Sequence, residues 1–144
     1  MRLRSVTLFV AALLGVCGGR PAHAVLGEEI AAAPRATVTR GPYTLTERVT
    51  DSAVMVREYA DASGVVFAVA WEGPARPDLQ TLLGRYFEAF AAAVANRAGG
   101  TGRRDLNVST DEMLVQMGAH LRSHRGRVVL RTRVPEGASI AEIQ

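Results

Sequence analysis

The chain contains one cysteine, Cys17, and no lysine, so all 17 of its basic residues are arginines. Because Cys17 lies in a predicted leader segment, the processed protein is expected to have neither a disulfide nor a cysteine nucleophile. No G-x-S-x-G nucleophile motif and no phosphate-binding loop occurs in the sequence. After residue 24, no apolar stretch approaches the roughly 18 residues that a membrane span requires. These absences give no support for an enzyme, a cofactor or a membrane-spanning protein.

Residues 1–24 have the three parts of a secretory signal peptide. Arg2 and Arg4 form a positive start, residues 8–16 are apolar, and Ala22-His23-Ala24 fits the A-x-A cleavage signature. The sequence therefore predicts cleavage after Ala24 and a periplasmic or extracellular protein that begins at Val25. A lipoprotein anchored through Cys17 is the alternative. It is disfavoured because Val16 precedes the cysteine, where a lipoprotein signal requires a small residue.

The net charge of the predicted processed chain gives no evidence about nucleic-acid or membrane partners. Cleavage would remove three arginines and no acidic residue, which leaves 14 basic residues against 14 acidic ones. A chain without excess positive charge gives no reason to expect a nucleic-acid partner.

Alternating residues predict strands in the first half of the processed chain. Residues 25–42 are rich in Ala, Pro and Gly and predict an irregular N-terminal arm, whereas residues 43–144 predict a single α+β domain. The patterns over 43–49, 54–59 and 65–72 favour three strands joined by short turns, which form an antiparallel meander.

A long amphipathic helix is predicted after the third strand. Pro77 and Asp78 suit its first turn, and Gly99-Gly100 suits its end. Apolar residues recur at spacings of three and four and form one stripe: Leu79, Leu82, Leu83, Tyr86, Phe87, Phe90, Ala91 and Val94. The small side chains of Ala68 and Ala70 would let this helix pack closely on the sheet. Gly84 lies beside the stripe and predicts a close approach to a strand.

Alternation returns near the C-terminus. It predicts a hairpin with strands over 113–122 and 128–134 and a turn at Ser123–Gly126, and a short strand at Leu106–Ser109. The sequence thus predicts an α+β fold. Its antiparallel sheet contains the three-strand meander and the C-terminal hairpin, with one long amphipathic helix packed on it.

Several segments from Tyr43 onward together carry a family resemblance: Val56–Tyr59, Gly64, Val66–Trp71, Gly73-Pro74, Pro77–Leu79, Leu82–Gly84, Tyr86-Phe87, His120–Arg122 and Gly126. In these segments the sequence resembles a family of exported Gram-negative bacterial proteins, domain of unknown function 2844. The resemblance implies export. It implies no activity, ligand or catalytic residue.

His120 and His124 form an H-x-x-x-H pair, which on a helix would place both imidazoles on one face and suit zinc. The surrounding alternation instead indicates a strand that leads into a turn, so no metal site is predicted. A small exported enzyme or metal-binding protein that uses these two residues is the alternative function. It would require both imidazoles to meet a carboxylate in a pocket.

A basic surface is the candidate binding site. If the hairpin pairs as predicted, five residues share one face: His120, Arg122, Arg127, Arg131 and Arg133. Such a face would suit an anionic envelope component or another exported protein, although charged faces also protect sheet edges from aggregation. The sequence therefore favours a non-catalytic exported domain that binds an envelope component or a protein.

Overall fold

The computed structural model describes residues 25–27, 36–96 and 105–144. The strands are β1 (Ala36–Arg40), β2 (Tyr43–Val49), β3 (Met55–Ala60), β4 (Val66–Gly73), β5 (Asp105–Ser109), β6 (Met113–His120) and β7 (Ser123–Leu130). Helices α1 (Leu79–Leu83) and α2 (Phe87–Ala95) are joined by a 3₁₀ turn at Gly84–Tyr86, and further 3₁₀ turns cover Arg131–Arg133 and Ile140–Glu142. The predicted signal peptide and the predicted helix end at Gly99-Gly100 lie outside the described residues.

The described strands form one antiparallel sheet in the order β1-β2-β3-β4-β7-β6-β5. The predicted α+β class with an antiparallel sheet is confirmed. The sheet is larger than a meander and a hairpin, because β1 and β5 extend its two edges. β5 coincides with the predicted short strand, whereas β1 lies in the segment predicted to be irregular.

β1 has no buried face, which explains why the sequence does not predict it. All five of its residues are exposed, so the short alternation of Ala36 and Val38 with threonines does not correspond to a buried face. It is held by its ladder to β2 across the Gly41-Pro42 turn, where Gly41 has a φ of +58°. Strand formation here follows from pairing with β2 rather than from burial of side chains.

β4 is the centre of the sheet, as its continuous apolar run predicts. Val66–Trp71 are all buried, and the strand pairs with β3 on one side and β7 on the other. Val69 and Trp71 belong to a core shared with the helices. Phe67, Ala68 and Ala70 belong to a core on the opposite face. The prediction that the helix packs against Ala68 and Ala70 is therefore wrong; the helices cover the face that carries Val69 and Trp71.

The predicted helix is present but interrupted. Asp78 caps its start, and its carboxylate accepts hydrogen bonds from the backbone N–H groups of Gln80 (3.0 Å) and Thr81 (3.3 Å). Gly84 has φ +50° and ψ −126°, a conformation open mainly to glycine, and it ends α1. Leu82, Leu83 and Phe90 on the predicted stripe are buried. Neither described helix has the length and hydropathy needed to cross a bilayer.

Gly84 is needed for contact with Val25 rather than with a strand. A Cβ at this position would lie 2.2 Å from Cγ1 of Val25. Leu26 is completely buried, and its N–H donates to the carbonyl of Leu82 (3.1 Å). The N–H of Gly27 donates to the carbonyl of Val66 (2.7 Å). Residues 25–27 thus join the helices to β4 and complete the core on this side.

Residues 134–144, here called the C-terminal segment, cover the other face of the sheet. Ile143 is buried among Tyr43, Tyr59, Phe67 and Leu114, and Val134, Ala138 and Ile140 pack at the margin of this core. The sequence predicts only a short tail here. We call the two sides of the sheet the helix face and the tail face.

Cross-strand ion pairs join β2 and β3. Arg57 and Glu58 are adjacent and point to opposite faces, as strand geometry requires. Nε of Arg57 lies 2.9 Å from Oε1 of Glu47, and Nε of Arg48 lies 2.7 Å from Oε1 of Glu58. Glu58 is only 1% exposed, so Arg48 provides the counter-charge that a buried carboxylate needs.

Candidate functional site

The C-terminal hairpin turns earlier than the sequence predicts. β6 and β7 pair from Met113↔Leu130 to His120↔Ser123, and Leu121 and Arg122 form the connecting turn. Ser123–Gly126, predicted as the turn, belong to β7, and residues 131–134 lie beyond its end. The sequence does not predict this turn because Leu121 adopts a φ of +53°, a conformation that is unusual for leucine.

This shift separates the five predicted binding residues. His120 ends β6 and Arg122 lies in the turn, whereas Arg131 and Arg133 lie in the 3₁₀ turn after β7. The eight residues of β7 span about 26 Å, so the two groups occupy opposite ends of the hairpin. Arg127 lies between them. The prediction that all five form one patch is therefore wrong.

Arg127 anchors the C-terminal segment. Its Nε donates to Oε1 of Gln116 (2.8 Å), and its Nη1 donates to the carbonyls of Ile140 (2.9 Å) and Ile143 (2.6 Å). These partners occupy most of the donors that a ligand would need. The structure thus gives Arg127 an architectural role.

Arg57 and Tyr59 hold the end of the same segment. Nη1 of Arg57 and the hydroxyl of Tyr59 both donate to the carbonyl of Gln144, over 3.1 and 3.0 Å. The N–H of Gln144 in turn donates to the Tyr59 hydroxyl (3.1 Å). Burial raises the pKa of Tyr59, so the phenol keeps the proton that it donates.

Arg125 shares the tail face with Arg127, two residues away, but is exposed. Across the strands it faces Glu72 on β4 and Gly118 on β6, and Asp105 follows on β5. The lack of a side chain at Gly118 lets the side chains of Asp105 and Arg125 lie close to this position, since a Cβ there would lie 2.8 Å from Oδ1 of Asp105 and 3.7 Å from Nε of Arg125. Within the described part of the chain, no hydrogen bond or ion pair occupies the Arg125 guanidinium.

An open groove of about 750 Å³ runs along the tail face beside the C-terminal segment. Arg125, Glu72 and Asp105 line it at the hairpin end, and Gln144 lines it on the side of the segment. Arg125, whose guanidinium has no partner among the described residues, thus lies where a polar ligand in the groove can reach it.

The two histidines of the H-x-x-x-H pair do not converge. His120 pairs with Ser123 and His124 pairs with Ala119, so the two imidazoles belong to opposite faces of the hairpin. Among residues 25–27, 36–96 and 105–144, no group of three His, Cys, Asp or Glu side chains is arranged to hold a metal ion.

Arg125 is the residue that sequence reasoning missed. Arg125 was placed in a predicted turn, so the sequence analysis did not recognise that it lies on the same strand face as Arg127. Continuing the alternation of β7 backward to Ser123 would have placed Arg125 on the same face as Arg127.

Comparison with known proteins gives the chain a family but no activity. No curated protein and no solved structure matches it. A family model described as a protein of unknown function, DUF2844, matches residues 15–143. The chain therefore belongs to the DUF2844 family.

Proposed function

We propose that this protein is an exported, non-catalytic domain that binds an anionic component of the cell envelope. Export is supported by the positive start, apolar run and A-x-A site of residues 1–24. Binding is supported by the hairpin end that contains His120, Arg122 and Arg125, which we call the basic tip.

The exposed, uncommitted guanidinium of Arg125 is the observation that carries the binding proposal. Arg122 and His120 are also exposed, and residues 119–127 contain no acidic side chain. Glu72 lies beside Arg125 on β4, and Asp105 lies beyond Gly118 on β5, so an anion would approach from the turn. Arginine can hold a carboxylate or phosphate through two parallel hydrogen bonds.

The geometry favours this proposal over an enzyme or metal-binding protein that uses His120 and His124. Those functions need both imidazoles at one reacting centre, whereas the hairpin turns them to opposite faces. Arg131 and Arg133 are not included in the basic tip because they lie at the far end of β7.

Processing after Ala24 is the first test. Intact-mass analysis of the exported protein should give a chain that starts at Val25, because signal peptidase cleaves after the second small residue of A-x-A. A lipid-modified Cys17 at the new N-terminus would show that the lipoprotein alternative is right.

Charge reversal tests the basic tip. The double variant Arg122→Glu/Arg125→Glu should lose the salt-sensitive retention of the wild type on immobilised dextran sulfate, because attraction becomes repulsion. Arg131→Glu/Arg133→Glu is the matched control, with the same change in net charge at the other end of the hairpin. Circular dichroism verifies that both variants are folded.

The control variant should remain bound. Equal losses in the two variants would mean that retention follows net charge rather than the basic tip. Wild-type protein that flows through at low salt would refute the binding proposal outright.

A further inference from the structure

Leu121 is the most exposed large apolar side chain in the described part of the chain, at 91%. It occupies the first position of the two-residue turn between β6 and β7, and its φ of +53° is strained for a leucine. A hairpin turn with a positive φ at its first position strongly prefers glycine. Leucine here therefore opposes folding and solubility alike, and such outliers concentrate at functional sites.

Among the described residues, the turn also extends beyond the ladders that join the hairpin to its neighbouring strands. The β4–β7 ladder ends at Gly73↔His124, and the β5–β6 ladder ends at Asp105↔Gly118. His120, Leu121 and Arg122 thus extend past the last paired residue of both flanking strands. The most apolar point of this projection is its end, where His120 directly precedes Leu121 and Arg122 directly follows it.

We propose that the basic tip docks on an anionic phospholipid surface and inserts Leu121 among the lipid headgroups. This rests on the proposed function and names the envelope component as lipid. An apolar end bordered by Arg122, Arg125 and His120 complements a bilayer whose apolar interior lies beneath negative phosphates. One leucine and two arginines give weak, reversible, salt-sensitive binding rather than stable anchoring.

Leu121→Gly separates this role from a structural one. Glycine accepts a positive φ without strain, so the variant should keep or raise the melting temperature of the wild type. Its partition onto vesicles of phosphatidylglycerol and phosphatidylcholine should nevertheless fall roughly tenfold, the loss expected when a leucine no longer leaves water. Val38→Thr changes another exposed apolar side chain, on β1, and should bind as the wild type does.

A spectroscopic variant locates the inserted residue. In Leu121→Trp, the added indole should shift its fluorescence to the blue on mixing with anionic vesicles. The emission should stay unchanged with pure phosphatidylcholine or at high salt. Trp71 is 3% exposed and gives a constant background.

The outcomes separate the two proposals. If the wild type binds dextran sulfate but not anionic vesicles, or if Leu121→Gly binds vesicles as well as the wild type, insertion is wrong and the proposed function stands. Equal binding to pure phosphatidylcholine would also overturn the insertion proposal, since charge would then play no part in vesicle binding. Loss of dextran sulfate binding in the Arg131→Glu/Arg133→Glu control would instead count against the basic tip itself.

Discussion

Phe67→Ala is expected to lower the free energy of unfolding by about 3–5 kcal/mol, the range for deleting a buried aromatic ring. Phe67 is fully buried at the centre of the tail-face core. Its ring centroid lies 6.2 Å from that of Tyr43 and 6.5 Å from that of Tyr59, so the change removes two aromatic contacts as well as apolar area. Urea denaturation measures the loss.

Phe87→Ala is the matched control for this prediction. Phe87 lies on the predicted helix stripe, but its ring is only half-buried, so the same truncation should cost clearly less. Equal losses of unfolding free energy in the two variants would mean that Phe67 in the tail-face core stabilises the fold no more than Phe87 on the helix does.

Arg127→Met is expected to lower the free energy of unfolding by about 2–3 kcal/mol, because the variant loses hydrogen bonds from a charged donor to partly buried acceptors. Carbonyls of Ile140 and Ile143 would remain without that donor unless the C-terminal segment left the sheet. Faster hydrogen exchange in residues 134–144 should accompany the loss. The experiment thus reports on the segment as well as on global stability.

Arg125→Met provides the comparison, since it alters the same residue type on the same strand and face. Arg125 is exposed and makes no hydrogen bond among the described residues, so the change should stay within about 0.5 kcal/mol. A large loss at Arg125, or none at Arg127, would reverse the roles assigned to these two arginines.

The elements with strong apolar patterns could be predicted from the sequence. β4 is buried on both sides, as its continuous run of apolar residues from Val66 to Trp71 predicts. The helix stripe around Leu82, Leu83 and Phe90 likewise follows from spacing, because burial against a sheet selects residues at that period. The break at Gly84 could not be predicted, since it depends on contact with Val25, which is distant in sequence.

The candidate site was harder to predict than the core. The position of the hairpin turn rests on a strained leucine, whereas turn chemistry pointed to Ser123–Gly126. A shift in the turn changes which arginines lie together, which removed Arg131 and Arg133 and added Arg125. The role of Arg127 depends on carbonyls 13 and 16 residues away, and no local pattern encodes such contacts.

The pairing of β4 with β7 has a consequence for how the chain acquires its fold. The paired residues are 51 to 61 positions apart, from Gly73↔His124 to Ala68↔Val129. Closing a loop of this length is entropically costly and makes folding slow relative to chains with local contacts. Until β7 arrives, the meander has an unpaired edge at β4, its most apolar strand. Such an edge invites pairing with other chains. The C-terminal hairpin must therefore pair with β4 before the same edge of β4 pairs with other chains.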